Sequence, residues 1–150
     1  MFFKQVAQGD ERGFMTIKNG DATTITTGYS VMLNLTAASF DGSQHCMCTN
    51  TATQAQAFDG IAVKDIAVNA YGLVQIFGNC ASVYLSNMGT SITIASGNPL
   101  IPSGLAGALF SGAPSYASSG FNWVFASNTP SNTLSIAAPL YCSGFVKCLK

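Results

Sequence analysis

Apolar positions in this chain fall in short runs and alternations, and a helical repeat is almost absent. The runs are rich in Val, Ile, Thr, Tyr and Phe and are bounded by Gly, Asn, Asp, Ser and Pro, the pattern of short half-buried strands. Strands are predicted over 13–18, 22–26, 29–35, 60–66, 71–77 and 81–85. Further strands are predicted near 91–95, 100–101, 108–110, 121–126 and 141–149.

The punctuation between them has a mechanism. Asn19-Gly20, Asp41-Gly42 and Asp59-Gly60 favour positive φ and tight reversals. Gly97-Asn98-Pro99 makes another turn, because Pro cannot donate to a ladder. The stretches 111–120 and 127–132 read as loops, and 49–57 reads as a loop or one short helix. No internal repeat or long linker divides the chain. The expectation is an all-β fold, one domain over 1–150, as a small barrel or sandwich of short antiparallel strands with long Gly/Ser/Pro-containing loops. Residues 1–12, with mixed charge and Phe2 and Phe3, are a candidate extended arm that orders on a partner.

With 48% apolar residues in 150, the chain can bury a real core and lacks the signature of disorder. Net charge is zero, which gives no electrostatic footprint for nucleic acid or an anionic membrane. The opening Met1-Phe2-Phe3-Lys4-Gln5 turns polar at once, unlike a signal peptide, and no apolar run reaches the roughly 20 residues of a membrane helix. The distribution of charge is more telling. All six acids, with Lys4, Arg12, Lys18 and Lys64, precede Ile66. From Ile66 to Val146 there is no charged side chain. A hydroxyl-faced sandwich would have this composition. So would a surface that meets other copies or a lattice, since interface cores are depleted in charge.

Candidate chemistry is sparse. His45 is the single histidine, so a Ser or Cys triad has one base to draw on, and no nucleophile elbow or P-loop occurs. The acids sit in turn contexts or flank a strand, which cap and turn roles explain, and the expectation is no enzyme and no cofactor. His45, Cys46 and Cys48 are weak candidates for a soft-metal site completed by Cys80 or Cys142, but the spacing is not that of a zinc knuckle. The alternative is that the cysteines are small buried hydrophobes, and Cys142 and Cys148 share a parity that turns both to the core. Phe121, Trp123 and Phe125 alternate on one strand, as a core face or as a sugar-stacking platform.

Phe58-Asp59-Gly60-Ile61-Ala62-Val63-Lys64-Asp65-Ile66, followed by Tyr71-Gly72-Leu73-Val74-Gln75-Ile76-Phe77-Gly78, resembles a strand-turn-strand pattern of small tailed-phage virion proteins. Gly28-Tyr29-Ser30-Val31, Gly97-Asn98-Pro99-Leu100 and Gly144-Phe145-Val146 are similar to further strands and turns of the same proteins, so the likeness runs from about Gly28 to the C-terminus. It resembles the head decoration, or capsid-cementing, proteins. That resemblance implies a structural virion protein on the capsid exterior, made in the host bacterial cytoplasm. Its partners would be the major capsid protein and itself, as a homotrimer, with no nucleic acid and no membrane. Phe2, Phe3, Tyr71, Phe110, Tyr116, Phe121 and Trp123 are the candidate interface residues. A tail or fibre component and a carbohydrate-binding β-sandwich are the alternatives.

Overall fold

A computed structural model describes residues 2–7, 10–33, 45–48, 58–86, 92–94, 96–102, 107–111, 123–127, 133–134 and 140–148. The described residues form strands and turns, with no helix, so the chain is all-β. The strands are β1 (Phe2–Ala7), β2 (Asp10–Asn19), β3 (Ser30–Leu33), β4 (His45–Cys48), β5 (Phe58–Ala62) and β6 (Tyr71–Leu85). They continue as β7 (Ile92–Thr93), β8 (Pro99–Pro102), β9 (Leu109–Ser111), β10 (Trp123–Ser127), β11 (Thr133–Leu134) and β12 (Leu140–Lys147).

Ten strands share one curled sheet in the order β1-β2-β4-β3-β5-β6-β12-β10-β8-β9. The added pairings β2–β6 and β6–β9 close it into two circuits that share β6. Most pairs are antiparallel, but β2–β4 and the single β6–β9 contact, Leu85 opposite Leu109, are parallel. β6 is long enough to serve both circuits. Its first half pairs with β2 and β5, and its second half pairs with β12 along Leu85 to Phe77. Alternation along β6 turns Val74, Ile76 and Cys80 inward, then shifts phase so that Val83 and Leu85 face in. Those side chains join Ile17, Ile25, Val31, Ile61, Ile66, Leu100, Leu109 and Val146 in one core cluster.

Three sequence expectations are corrected here. Residues 22–26 do not form a strand, only a bridge between Ile25 and Ile66. Ala22, Thr23 and Thr24 are exposed, and the side chain of Asn19 takes the place of a ladder by bonding Thr23 O at 2.9 Å and Ile66 O at 2.8 Å. Asp59-Gly60 is not a reversal but lies inside β5, where buried Asp59 accepts the Leu33 N–H at 2.6 Å. Strands expected separately over 71–77 and 81–85 are one, because Gly78-Asn79 continues the ladder to β12 opposite Val146 and Phe145. Phe2–Ala7 pairs antiparallel with β2 at the edge of the sheet. The segment 49–57 and the turn Asp41-Gly42 lie outside the described residues.

Candidate functional site

Two surface features stand out, one at each end of β6. At its start lies an apolar cluster. Val68 (43% exposed), Tyr71 (62%) and Leu73 (40%) are three of the four exposed large hydrophobic side chains among the described residues. Tyr71 and Leu73 share a face by strand parity, and Val68 belongs to the turn that delivers the chain to β6. Lys18, directly across the ladder from Tyr71, places its ammonium 5.9 Å from the ring centroid.

Toward the end of β6 lies a row of tyrosines from three separate segments. Tyr84 and Tyr141 are cross-strand partners on β6 and β12, with ring centroids 5.3 Å apart and tilted by 46°. Tyr29 stacks on the other side of Tyr84 at 4.9 Å and 27°. The row is held from below by Gly28, whose N–H donates to Ala62 O and whose carbonyl accepts the Tyr84 N–H, both at 2.9 Å. Gly28 has φ of +85°, and a Cβ there would meet Tyr141 Cε1 at 3.0 Å and Ser82 Oγ at 3.2 Å. Glycine at 28 therefore lets the edge of the Tyr141 ring approach the backbone, while Tyr141 as a whole remains 47% exposed. Burial, with the neighbouring tyrosines, pushes the Tyr84 phenol above its ordinary pKa. The Tyr141 phenol is raised by burial, then by Tyr29 and the negative charge of Asp65.

Asp65 is fixed from one side. Its Oδ1 accepts the Thr27 N–H at 2.7 Å and the Thr27 hydroxyl at 2.8 Å, and these bonds hold its carboxyl below the ordinary range. Thr27 and Ser82 also line a cavity of about 120 Å³, together with Arg12, Ala62, Gln75 and Ala81. Gln75 is 3% exposed, and its Nε2 donates to Phe77 O at 3.1 Å. Its Oε1 has no protein partner among the described residues. A buried acceptor left unpaired costs about 1–3 kcal/mol, so a donor entering this cavity finds a ready partner.

The described cysteine side chains take the core role. Cys80, Cys142 and Cys148 are buried, and Cys142 and Cys148 do share the inward parity of β12. Burial pushes Cys142 up to about 11, with Cys80 adding to it, and burial also raises Cys80 against the Ser82 backbone and the Arg12 charge. No group of three or more His, Cys, Asp or Glu is gathered for a metal ion among the described residues.

Of the sequence-predicted positions, Tyr71 lies in the exposed cluster. Phe2 and Phe3 lie on edge strand β1, Phe110 on β9, and Trp123 on β10 opposite Lys147 of β12. His45, Cys46 and Cys48 lie on β4, between β2 and β3 in the sheet. The side chains of these residues, and Tyr116 and Phe121 altogether, lie outside the described set. Sequence reasoning missed Tyr29, Tyr84 and Tyr141, which no local spacing connects. On the paired stretch of β6 and β12 the outward residues Asn79, Ala81, Ser82, Tyr84, Tyr141, Ser143 and Phe145 carry no charge, and the exposed Lys147 at the end of β12 bounds that stretch. Comparison with family models, curated proteins and solved structures finds no match to this chain.

Proposed function

We propose that this chain is a structural virion protein that binds the outer surface of a tailed-phage head and reinforces the shell. The carrying observation is the exposure of Val68, Tyr71 and Leu73 at the start of β6. Burying such side chains against a capsid subunit contributes about 25 cal/mol per Å² of apolar area before the costs of association. Repetition over symmetric sites converts a modest contact into firm retention by avidity. The uncharged outward stretch Asn79–Tyr84 and Tyr141–Phe145, and the likeness of 58–78 to virion proteins, support the same reading. Closure of three copies around an axis suits a site on such a shell.

The test has two parts. Light scattering on a sizing column is expected to give three times the monomer mass. Co-sedimentation with DNA-free phage heads is expected to saturate at a fixed ratio to capsid subunits. Tyr71→Asp with Leu73→Ser should abolish co-sedimentation while the far-ultraviolet spectrum is retained. A monomer at all concentrations that ignores the heads would overturn the proposal.

A further inference from the structure

We propose that the Tyr141 ring, the Asp65 carboxylate and the adjoining cavity form a binding site for neutral hexopyranose units of a surface glycan. The site is separate from the Val68–Tyr71–Leu73 cluster, and it stands whether or not the chain sits on a shell.

Three observations converge on that ligand class. The first is the aromatic face. A pyranose presents a patch of C–H groups on one side and hydroxyls around its rim, and it is held by one flat exposed ring beside hydrogen-bonding groups. Tyr141 supplies an exposed ring, brought close to Gly28 and to the Ser82 hydroxyl beside it. The second is the polar rim. Thr27 engages only Oδ1 of Asp65, leaving Oδ2 to accept from a sugar hydroxyl, and Asp65 is exposed. The phenol hydroxyls of Tyr29, Tyr84 and Tyr141 make no hydrogen bond to described residues. The third is the cavity, where buried Gln75 offers an unpaired acceptor and Ser82 and Thr27 add hydroxyls. A volume of about 120 Å³ takes a ring substituent such as a hydroxymethyl group rather than a whole sugar.

Other ligands fit less well. A proline-rich peptide needs grooves between separated rings, whereas centroid spacings of 4.9 and 5.3 Å bring these rings into contact and close any slot. An acidic sugar would meet the exposed Asp65 charge at the rim, and the Arg12 guanidinium in the cavity lining is already engaged with another group. The absence of charge on the outward residues beside Tyr141, from Asn79 to Tyr84 and at Ser143 and Phe145, suits a neutral ligand recognised by hydroxyl geometry and stacking.

The experiment is a titration of the full isotope-labelled chain with neutral oligosaccharides (gluco-, manno-, galacto- and N-acetylglucosamine tetramers) followed by nuclear magnetic resonance. At least one is expected to bind saturably in the micromolar to low-millimolar range, shifting the ring signals of Tyr141 and the side-chain amide of Gln75. Tyr141→Ala should weaken that binding about tenfold or more, an effect of the size expected for losing one ring contact. Tyr141→Phe, which keeps the face, should stay within about threefold of the parent, and Asp65→Asn should weaken binding severalfold. Melting temperatures of the variants separate loss of ligand from loss of fold. The proposal fails if no tetramer shifts these signals up to about 10 mM. It fails equally if Tyr141→Ala binds as well as the parent while folded, or if a polyproline peptide shifts the same signals and the sugars do not.

Discussion

Replacing Asn19 by Ala removes the polar junction that joins the end of β2 to the 65–70 turn. Asn19 is fully buried, and each side-chain hydrogen-bonding atom is engaged. Nδ2 donates to Thr23 O at 2.9 Å and Ile66 O at 2.8 Å, while Oδ1 accepts the Asp21 N–H at 2.8 Å. Its backbone adds a bond in each direction, to Ala70 O at 2.9 Å and from Asn69 N at 3.0 Å, which the substitution leaves in place. Each lost side-chain bond is worth about 1 kcal/mol net, giving about 3 kcal/mol in all. The orphaned groups limit the damage. Thr23 and Asp21 lie where water reaches them, and Ile66 O still accepts the Ile25 N–H at 3.0 Å. For a domain of this size, 3 kcal/mol corresponds to a drop of about 6–12 °C in Tm. In urea it corresponds to a midpoint shift of about 1–3 M at unchanged slope. Asn19→Asp should cost more, since both donors vanish and a carboxylate is buried against two carbonyls. Asn79→Ala, exposed on β6, is the control and should stay within about 0.5 kcal/mol. A loss below about 1 kcal/mol for Asn19→Ala, at a two-state transition, would refute the reasoning: water would then replace the amide without penalty.

Other consequences can be measured directly. Gly78→Ala should destabilise by about 3 kcal/mol or more, because φ is +90° and a Cβ would collide with the Glu11 carbonyl. Gly97→Ala, with φ of +84° but open space, should lose only about 1–2 kcal/mol, and equal losses at the two sites would show that sterics at Gly78 relax. Asp65 is depressed by Thr27, so the stability it contributes is present above the ordinary carboxylate pKa and is lost as pH falls below it. Carbon-13 titration should find that pKa lowered in the parent and restored upward in Thr27→Val. Cys142, held protonated up to about 11 against an ordinary 9.0, contributes stability that is full below pH 9 and declines as pH rises through that window. At pH 8 its native thiolate population is about 100-fold below that of a free thiol. Native labelling by an aromatic disulfide should therefore be slow and become fast in denaturant, and rapid native labelling at Cys142 would contradict its burial.

The strands were legible where alternation and β-branched residues coincide, as over 13–18 and 81–85. They were misread where a local signal had a second use. Asp59-Gly60 carries the composition of a turn, yet the carboxylate serves a neighbouring strand's N–H from inside β5. Gly78-Asn79 looks like a break, yet the chain runs on because β12 lies opposite. Residues 22–26 have strand composition, but a side chain 47 positions from Ile66 does the bonding that a ladder would. Parity alone placed Cys142 and Cys148 inward. Tyr71 was singled out in the sequence and is the most exposed member of its cluster. The tyrosine row was not legible at all, because Tyr29, Tyr84 and Tyr141 meet only once the sheet has curled.

β6 is the shared member of both pairing circuits, and that fixes when the chain can fold during its own synthesis. The residues of β2 leave the ribosome well before Tyr71–Phe77, their long partner, and Leu140–Lys147 of β12 complete that partner later still. At about 5–20 residues per second, the gap between Asn19 and Tyr71 alone lasts several seconds. During that time the β1–β2 hairpin pairs locally but has no β6 to cover Ile17. A nascent chain of this design depends on late closure, so truncation before Lys147 should leave an aggregation-prone fragment rather than a smaller folded domain.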